Sequence, residues 1–110
     1  MKRLLLVVLC VTVAVAFSGV AFAQDVKAGE KVFTDQKCSM CHQIAGKGNK
    51  MHPLDGVGAK LKADDIREWI VNAPAAAAKA KSTAKPPMKA YDKLPKADVD
   101  ALVAYLGSLK

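Results

Sequence analysis

Cys38, Cys41 and His42 are the residues of this chain whose types and spacing best define a chemistry. They form the pattern C-x-x-C-H, in which an imidazole directly follows the second of two closely spaced thiols. This pattern is typical of the covalent attachment of a c-type haem, in which both thiols add to the haem vinyl groups as thioethers. The imidazole of His42 is then held beneath the iron as an axial ligand. The motif therefore predicts a haem attachment site.

Three other interpretations of Cys38 and Cys41 compete with haem attachment. A thioredoxin-like redox pair needs a βαβ setting, and the sequence shows none. A zinc site needs a second pair of ligands, and beyond the motif only His52 remains in the predicted mature chain. A disulfide between two such close cysteines would close a loop too short to stabilise the fold much. Haem attachment is the interpretation that the surrounding sequence favours.

The first residues have the organisation of an export signal. Lys2 and Arg3 form a basic start, residues 4–17 form an apolar run, and Ala21-Phe22-Ala23 matches an A-x-A cleavage site. A retained membrane anchor is the alternative, but the apolar run is short for one and ends in small residues. We therefore expect residues 1–23 to be a cleaved signal peptide and the mature chain to begin at Gln24.

Cleavage would leave residues 24–110 as one domain of 87 residues, exported to the periplasm. Domains of this size bury a limited core and usually need a covalent or metal-based support, which an attached haem can supply. The predicted mature chain carries 15 basic and 10 acidic residues, a net charge of +5. That excess suggests acidic protein partners or an anionic membrane surface, whereas no motif supports binding to nucleic acid.

Hydrophobic periodicity and capping residues predict a mainly helical domain. The predicted helices run from residue 26 to about 34–36, from 64 to about 72, and from 95 to about 109. Asp25 and Asp64 are suitable N-caps of the first two, and Pro95 fits the first position of the third. The segment 75–84 is rich in Ala and Lys, and its sequence does not decide between a helix and a connector. No strand pattern is evident.

Apolar side chains at helical spacing predict how the helices pack. Gly29 and Phe33 lie on one face of the first helix and are expected to pack against Leu102 and Tyr105 of the last. In the second helix Trp69 shares a face with Ile66, Ile70 and Ala73, which places it against the cofactor pocket or in the ordinary core.

Other candidate pocket residues lie in two loops. The carbonyl of Pro53 is expected to accept a hydrogen bond from His42, and Leu54 is expected to cover the haem. Pro86 and Pro87 stiffen the backbone just before Met88, which suits a thioether held at a fixed point.

With these residues in place, the chain resembles the class I c-type cytochromes, of the small bacterial monohaem type. The resemblance rests on C-x-x-C-H near the mature N-terminus, Pro53-Leu54, Pro86-Pro87-Met88 and a closing Leu-Val-Ala-Tyr-Leu helix. It implies an all-α cytochrome c fold with three to five short helices around one covalently attached haem c. The position of the motif argues against the four-helix cytochromes c′, in which it lies near the C-terminus.

The resemblance implies that Met88 is the second axial ligand of the iron, opposite His42. Met40 lies inside the attachment loop, and Met51 follows His42 too closely to reach the far face. His52 departs from the family pattern, which commonly has glycine before the proline. A bis-histidine site is the alternative that His52 raises, but its proximity to His42 favours an exposed side chain.

The resemblance further implies a periplasmic single-electron carrier that is not an enzyme. Its expected partners are acidic redox proteins, with peripheral contact to membrane-bound oxidoreductases, and the chain is expected to be a monomer. The alternatives are a dedicated haem subunit of a larger dehydrogenase or sulfur-oxidising complex, and a peroxidase-like or gas-binding protein with a labile Met88. Lysines near the two haem loops could steer acidic partners or serve only solubility; they are Lys47, Lys50, Lys79, Lys81, Lys85 and Lys89.

Overall fold

The computed structural model of the protein describes residues 23–110, and residues 1–22 of the predicted signal peptide lie outside them. Helix α1 covers residues 23–35, and a short 3-10 turn follows at Cys38–Met40. The remaining helices are α2 (Val57–Lys60), α3 (Ala63–Val71), α4 (Ala73–Lys79) and α5 (Lys96–Gly107). The predicted all-α fold with three to five short helices is confirmed.

The ends of the helices differ from the predicted ones by a few residues. Residues 23 and 24 are already helical, so Asp25 lies inside α1 and is not its N-cap. Lys62, and not Asp64, is the N-cap of α3, and its side chain makes no capping hydrogen bond. Asp64 instead lies in the first turn, where a carboxylate is stabilised by the helix dipole. Pro95 is the N-cap of α5 and not its first residue.

The segment that the sequence left undecided is helical in its first part. Helix α4 begins directly after Asn72, with Pro74 in its first turn, where a missing N–H costs nothing. Lys79, at the end of α4, donates to both carboxylate oxygens of Glu68 in α3 at 2.9 and 3.0 Å. This ion pair joins the two helices. From residue 82 to 91 the chain has no regular secondary structure.

A small three-stranded sheet corrects the expectation that the chain has no strands. Its strands are β1 (His42–Ile44), β2 (Lys47–Gly48) and β3 (His52–Pro53), in the order β2-β1-β3. β1 pairs antiparallel with β2 and parallel with β3. Strands of two or three residues are too short to show alternating hydrophobicity, so they could not be recognised from sequence. Residues 42–48, directly after the two cysteines, therefore form a hairpin.

The core lies where α1, α3 and α5 meet. Its buried members are Phe33, Ile66, Ile70, Val99, Leu102, Val103 and Leu106. The rings of Phe33 and Tyr105 pack edge to face with centroids 5.9 Å apart, which confirms the predicted pairing of the first and last helices. Beside them, a Cβ atom at Gly29 would collide with the Ala101 carbonyl, so the two backbones approach as closely as glycine allows.

An ion-pair network joins α3 to α5 at the edge of the core. Arg67 of α3 donates to one carboxylate oxygen of Asp100 at 2.6 Å, and Lys96 donates to the other at 2.9 Å. These two hydrogen bonds lower the pKa of Asp100 below its usual value. Within residues 23–110, no helix is long and apolar enough to span a lipid bilayer.

Candidate haem attachment site

The two thiols lie on a tight turn that follows α1. Lys37 adopts a left-handed conformation with φ of 56°, which redirects the chain out of α1 and into the 3-10 turn. The Cys41 N–H then donates to the Cys38 carbonyl at 3.2 Å. Cys38 is partly buried against the core, Cys41 is exposed, and both are free thiols. Burial raises the pKa of Cys38, while the nearby Lys89 ammonium acts in the opposite direction.

His42 directly follows this turn, and strand pairing fixes its ring. β1 and β3 are in register with His42 opposite His52. The Nδ1 atom of His42 lies 3.0 Å from the His52 carbonyl oxygen, so an N–H at Nδ1 donates to it. The sequence-based prediction of the Pro53 carbonyl as acceptor is therefore wrong by one residue. The parallel ladder turns the His52 carbonyl toward His42, and that orientation is set by the strand register.

This hydrogen bond defines which atom of His42 is available to a metal. With Nδ1 engaged, the Nε2 lone pair is free to bind iron, and a backbone acceptor of this kind orients an imidazole ligand. Burial lowers the pKa of His42, and the neighbouring His52 adds to that, although the bond to the carbonyl works against it. The neutral imidazole, which is the form that binds metals, is thereby favoured.

Asn49 holds the turn and the sheet together, a role that the sequence did not reveal. Its backbone N–H donates to the Ser39 carbonyl at 3.0 Å, and its side-chain amide donates to the Met40 carbonyl at 3.0 Å. Its Oδ1 accepts the Met51 N–H at 2.9 Å. The next residue back, Gly48, has φ of 102°, and a Cβ there would collide with the His42 carbonyl. The sequence feature that could have indicated this role is the position of Asn49 directly after a glycine in a polar segment.

The predicted pocket residues Pro53, Leu54 and Trp69 have different surroundings. Leu54 packs against the core cluster, and its N–H donates to the Gln43 carbonyl at 2.8 Å, which places it beside the motif. Pro53 pairs with Gln43 and is itself exposed. Trp69 is partly buried on α3, but it is not among the partly buried residues that pack against the core. The pocket roles of these three residues stay predictions.

Met88 lies in the irregular segment before α5, and that segment runs close to the cysteines. Met88 is partly buried, whereas Pro86 and Pro87 are exposed. Three residues later, the Tyr91 N–H donates to the Ile70 carbonyl at 2.8 Å, which ties the segment to the end of α3. Burial raises the pKa of Tyr91, and the charges of Cys38 and Cys41 add to this effect.

Tyr91 is a site residue that the sequence analysis missed. Its ring lies near both cysteines and packs against the core, and the Lys89 ammonium is 5.0 Å from the ring centroid. A cation at that distance interacts favourably with the face of an aromatic ring. The signal in the sequence was the single aromatic residue of this loop, three positions after Met88.

The sequence analysis predicts an exposed side chain for His52, and the structure shows that this is wrong. The residue is partly buried, and its ring centroid is 6.0 Å from that of His42, with the planes inclined by 58°. Its Nε2 atom is buried and has no hydrogen-bond partner within residues 23–110. A buried polar atom without a partner costs about 1–3 kcal/mol.

These residues fit a covalently bound haem. Two free thiols flank one turn, and the adjacent imidazole has Nδ1 engaged and Nε2 free. Cys38 and Cys41 would hold the haem, and His42 would ligate its iron. Elsewhere in the described range, no group of three or more His, Cys, Asp or Glu side chains is arranged to hold a metal ion.

Comparisons with known proteins agree with this site. The family model of cytochrome c matches residues 26–110, which include the motif, most of α1 and the whole of α2 to α5. Proteins of this family are haem-binding electron carriers with covalently attached haem c, and Cys38, Cys41 and His42 have the matching arrangement. Searches among curated proteins and among solved structures each returned no match to this chain. The chain therefore belongs to the cytochrome c family, and haem c is its cofactor.

Proposed function

We propose that the protein is a periplasmic single-electron carrier with His42 and Met88 as the two axial ligands of its iron, and that it is not an enzyme. The observation that carries the proposal is the hydrogen bond from Nδ1 of His42 to the His52 carbonyl, at 3.0 Å. It presents an oriented, neutral imidazole directly beside the attachment cysteines. Haem c supplies one-electron oxidation and reduction of its iron.

The burial of the methionines supports Met88 as the second ligand. Of the three methionines in the described range, Met40 and Met51 are 68% and 58% exposed. Met88 alone among them is partly buried, in the segment that Tyr91 ties to α3. A thioether favours ferrous iron and so raises the reduction potential. With both axial positions filled by the protein, no position on the iron is left for a substrate.

Replacing Met88 tests this ligand assignment. The ferric wild type is expected to show the weak far-red absorption band of methionine bound to iron, and Met88→Ala is expected to lose it. The same variant should lower the reduction potential by roughly 100 mV or more, since axial ligands tune potential over a range of about 0.8 V. Absorption spectra and redox titration of the purified haem proteins measure both effects.

Met51→Ala is the matched control, because it removes an exposed thioether near the proximal side of the site. Met51→Ala should keep both the far-red absorption band and the reduction potential of the wild type. A band that is absent from the wild type, or that survives in Met88→Ala, would overturn methionine ligation. The iron site would then be open or bis-histidine, and catalysis or ligand sensing would become the favoured function.

The predicted export signal supports the proposed periplasmic location. The basic start, the apolar run and the A-x-A site of residues 1–23 have the organisation of a cleaved signal. Covalent haem attachment also requires reduced thiols, which an oxidising compartment does not maintain without a maturation system. The apparent mass of the purified haem protein tests cleavage, because removal of residues 1–23 would leave a chain that begins at Gln24.

Exposed lysines and methionines near the motif suggest how a partner docks. We define the docking surface as Met40, Met51, Lys47, Lys50 and Lys89, all of them exposed. The side chain of Asn49 bonds the backbones of both methionines and so holds the apolar part of this surface in place. The positive charges around it suit an acidic surface on a redox protein.

One of the candidate lysines is already engaged in an ion pair. Lys79 of α4 forms an ion pair with Glu68 of α3. Because the carboxylate of Glu68 offsets its positive charge, Lys79 attracts an acidic partner less strongly. Lys81 and Lys85 are exposed in the segment that leads to Met88. The strongest candidates are therefore Lys47 and Lys50 beside the sheet, and Lys89 beside Cys38.

Charge reversal tests the docking surface with hexacyanoferrate, a small anionic redox reagent. Changing Lys47, Lys50 and Lys89 to Glu is expected to slow electron transfer to this reagent roughly tenfold at low ionic strength. The difference should vanish near 1 M salt, where the screening length falls to about 3 Å. Stopped-flow rates across a salt series measure it.

The control reverses the same number of charges elsewhere, at Lys27, Lys60 and Lys62, which are also exposed. It matches the change in net charge and should slow the reaction much less. Equal slowing by both triple variants would mean that net charge alone controls the rate, and the docking surface would be rejected.

A further inference from the structure

The export signal predicted for residues 1–23 determines which residue stands first in the mature chain. Ala21-Phe22-Ala23 matches an A-x-A cleavage site, so cleavage after Ala23 makes Gln24 the N-terminal residue. An N-terminal glutamine differs from an internal one, because its free α-amine and its side-chain amide belong to the same residue. The amine nitrogen reaches the Cδ carbon through a five-membered ring, a size that closes readily. The first residue of the mature chain is therefore a candidate for intramolecular modification.

The structure leaves Gln24 accessible and free to change at its backbone nitrogen. Gln24 is exposed, and so are Asp25 beside it and Lys27 one turn later. Gln24 also lies in the first turn of α1, where backbone N–H groups have no carbonyl partner within the helix. Enclosing its nitrogen in a ring therefore breaks no helical hydrogen bond. The Gln24 backbone carbonyl stays outside the ring and remains available to an N–H one turn later.

We propose that Gln24 of the mature protein cyclises to pyroglutamate, and that this lactam stabilises the beginning of α1. The α-amine nitrogen attacks the side-chain amide carbon, a C–N bond forms, and the amide nitrogen leaves as ammonia. A proton of the amine moves to the leaving nitrogen, so the step needs no oxidant, reductant or other co-reactant. The proposal rests on the predicted cleavage after Ala23, and it does not depend on the axial ligands of the iron.

The loss of the amine's charge is what stabilises the helix. A free α-amine is largely protonated at neutral pH, and it would place a positive charge at the positive end of the α1 dipole. Asp25 is the adjacent acidic residue, but successive residues on a helix do not face each other, so its carboxylate offsets little of this repulsion. The lactam N–H is neutral, and it removes the charge as N-terminal acetylation does. Because α1 carries Gly29 and Phe33 into their contact with α5, a firmer first turn supports that contact.

The mass and the N-terminus of the mature haem protein, exported with its own signal, test the modification. The protein is expected to be lighter by one ammonia than residues 24–110 with haem, and to resist stepwise N-terminal sequencing. Pyroglutamyl aminopeptidase, which removes only the lactam residue, should then expose Asp25 to sequencing. Gln24→Asn is the matched control, because its side chain is one methylene shorter and would have to close a strained four-membered ring. This variant should keep a free α-amine and its full mass.

Hydrogen exchange tests the effect on α1. Amides in its first hydrogen-bonded turn should exchange roughly twofold to fivefold more slowly in the wild type than in Gln24→Asn. Equal exchange would reject the stabilising role, and a wild-type chain that begins at Gln24 but keeps its free amine after prolonged incubation would overturn the modification itself. If Gln24→Asn is not exported, the mass and sequencing of the wild type still decide. A chain that begins at another residue would reject the predicted cleavage site, whereas the far-red band that tests methionine ligation is independent of all these results.

Discussion

Replacing Cys38 and Cys41 together with alanine is expected to give a chain that does not retain haem and that loses most of its helical structure. The reason is the small size of the core. Seven residues form the buried cluster, and within residues 23–110 no large side chain is completely buried. Cys38, Leu54 and Tyr91 complete the packing only in part. A haem against these groups would supply much of the apolar area that a domain of this size lacks.

Haem staining of denaturing gels and far-ultraviolet circular dichroism measure the two losses. Each single variant keeps one thioether and should retain stained haem, with Cys38→Ala the less stable because Cys38 packs against the core. Ser39→Ala is the matched control, since it alters an exposed residue of the same turn and leaves both thiols in place. A double variant with full helical content and an unchanged melting temperature would show that the polypeptide folds without its cofactor.

Gly29→Ala is expected to lower the free energy of unfolding by about 2–3 kcal/mol, the upper part of the usual range for overpacking a tight contact. A Cβ atom at this position would collide with the carbonyl of Ala101 and lie 2.5 Å from the Cβ of Tyr105. The first of these atoms is backbone, so α1 and α5 must separate and the edge-to-face pair of Phe33 and Tyr105 must loosen. The gain of about 1 kcal/mol in helix propensity from alanine does not offset this.

Gly107→Ala is the matched control for Gly29→Ala. Gly107 is the last residue of α5, and a Cβ there would meet no atom within 4 Å. The same chemical change should therefore leave stability unchanged or raise it by up to about 1 kcal/mol. Urea denaturation of the haem-bound proteins compares the two. Similar destabilisation by both variants would show that backbone entropy and not the close helix contact determines the effect.

Local sequence information was sufficient where the chemistry is carried by adjacent residues. The C-x-x-C-H pattern needs only one turn of chain, so Cys38, Cys41 and His42 could be assigned without knowledge of the fold. The apolar stripe of the last helix and the glycine and aromatic pair of the first also follow from helical periodicity. The structure confirms their contact through Gly29, Phe33 and Tyr105.

Errors arose where a local rule competed with tertiary contacts. Asp25 and Asp64 are good capping residues, yet both lie inside helices, and the exposed residues before them show no packing that would explain the extension. The small sheet was missed because its strands are held by pairing with one another and not by any hydrophobic alternation. Trp69 does not pack against the cluster that contains Ile66 and Ile70, and its other predicted place, against the cofactor pocket, stays a prediction.

The sequence by itself therefore determined the cofactor, the arrangement of Cys38, Cys41 and His42 that suits its covalent attachment, and the pairing of the terminal helices. Only the tertiary structure decided how His42 is oriented and what surrounds it. The parallel register of β1 and β3 selects the His52 carbonyl over that of Pro53, and it also buries the Nε2 of His52. Hydrogen bonds between separate strands depend on how the chain folds back on itself, even where the strands are only about ten residues apart. No periodicity or propensity of the separate segments encodes that register.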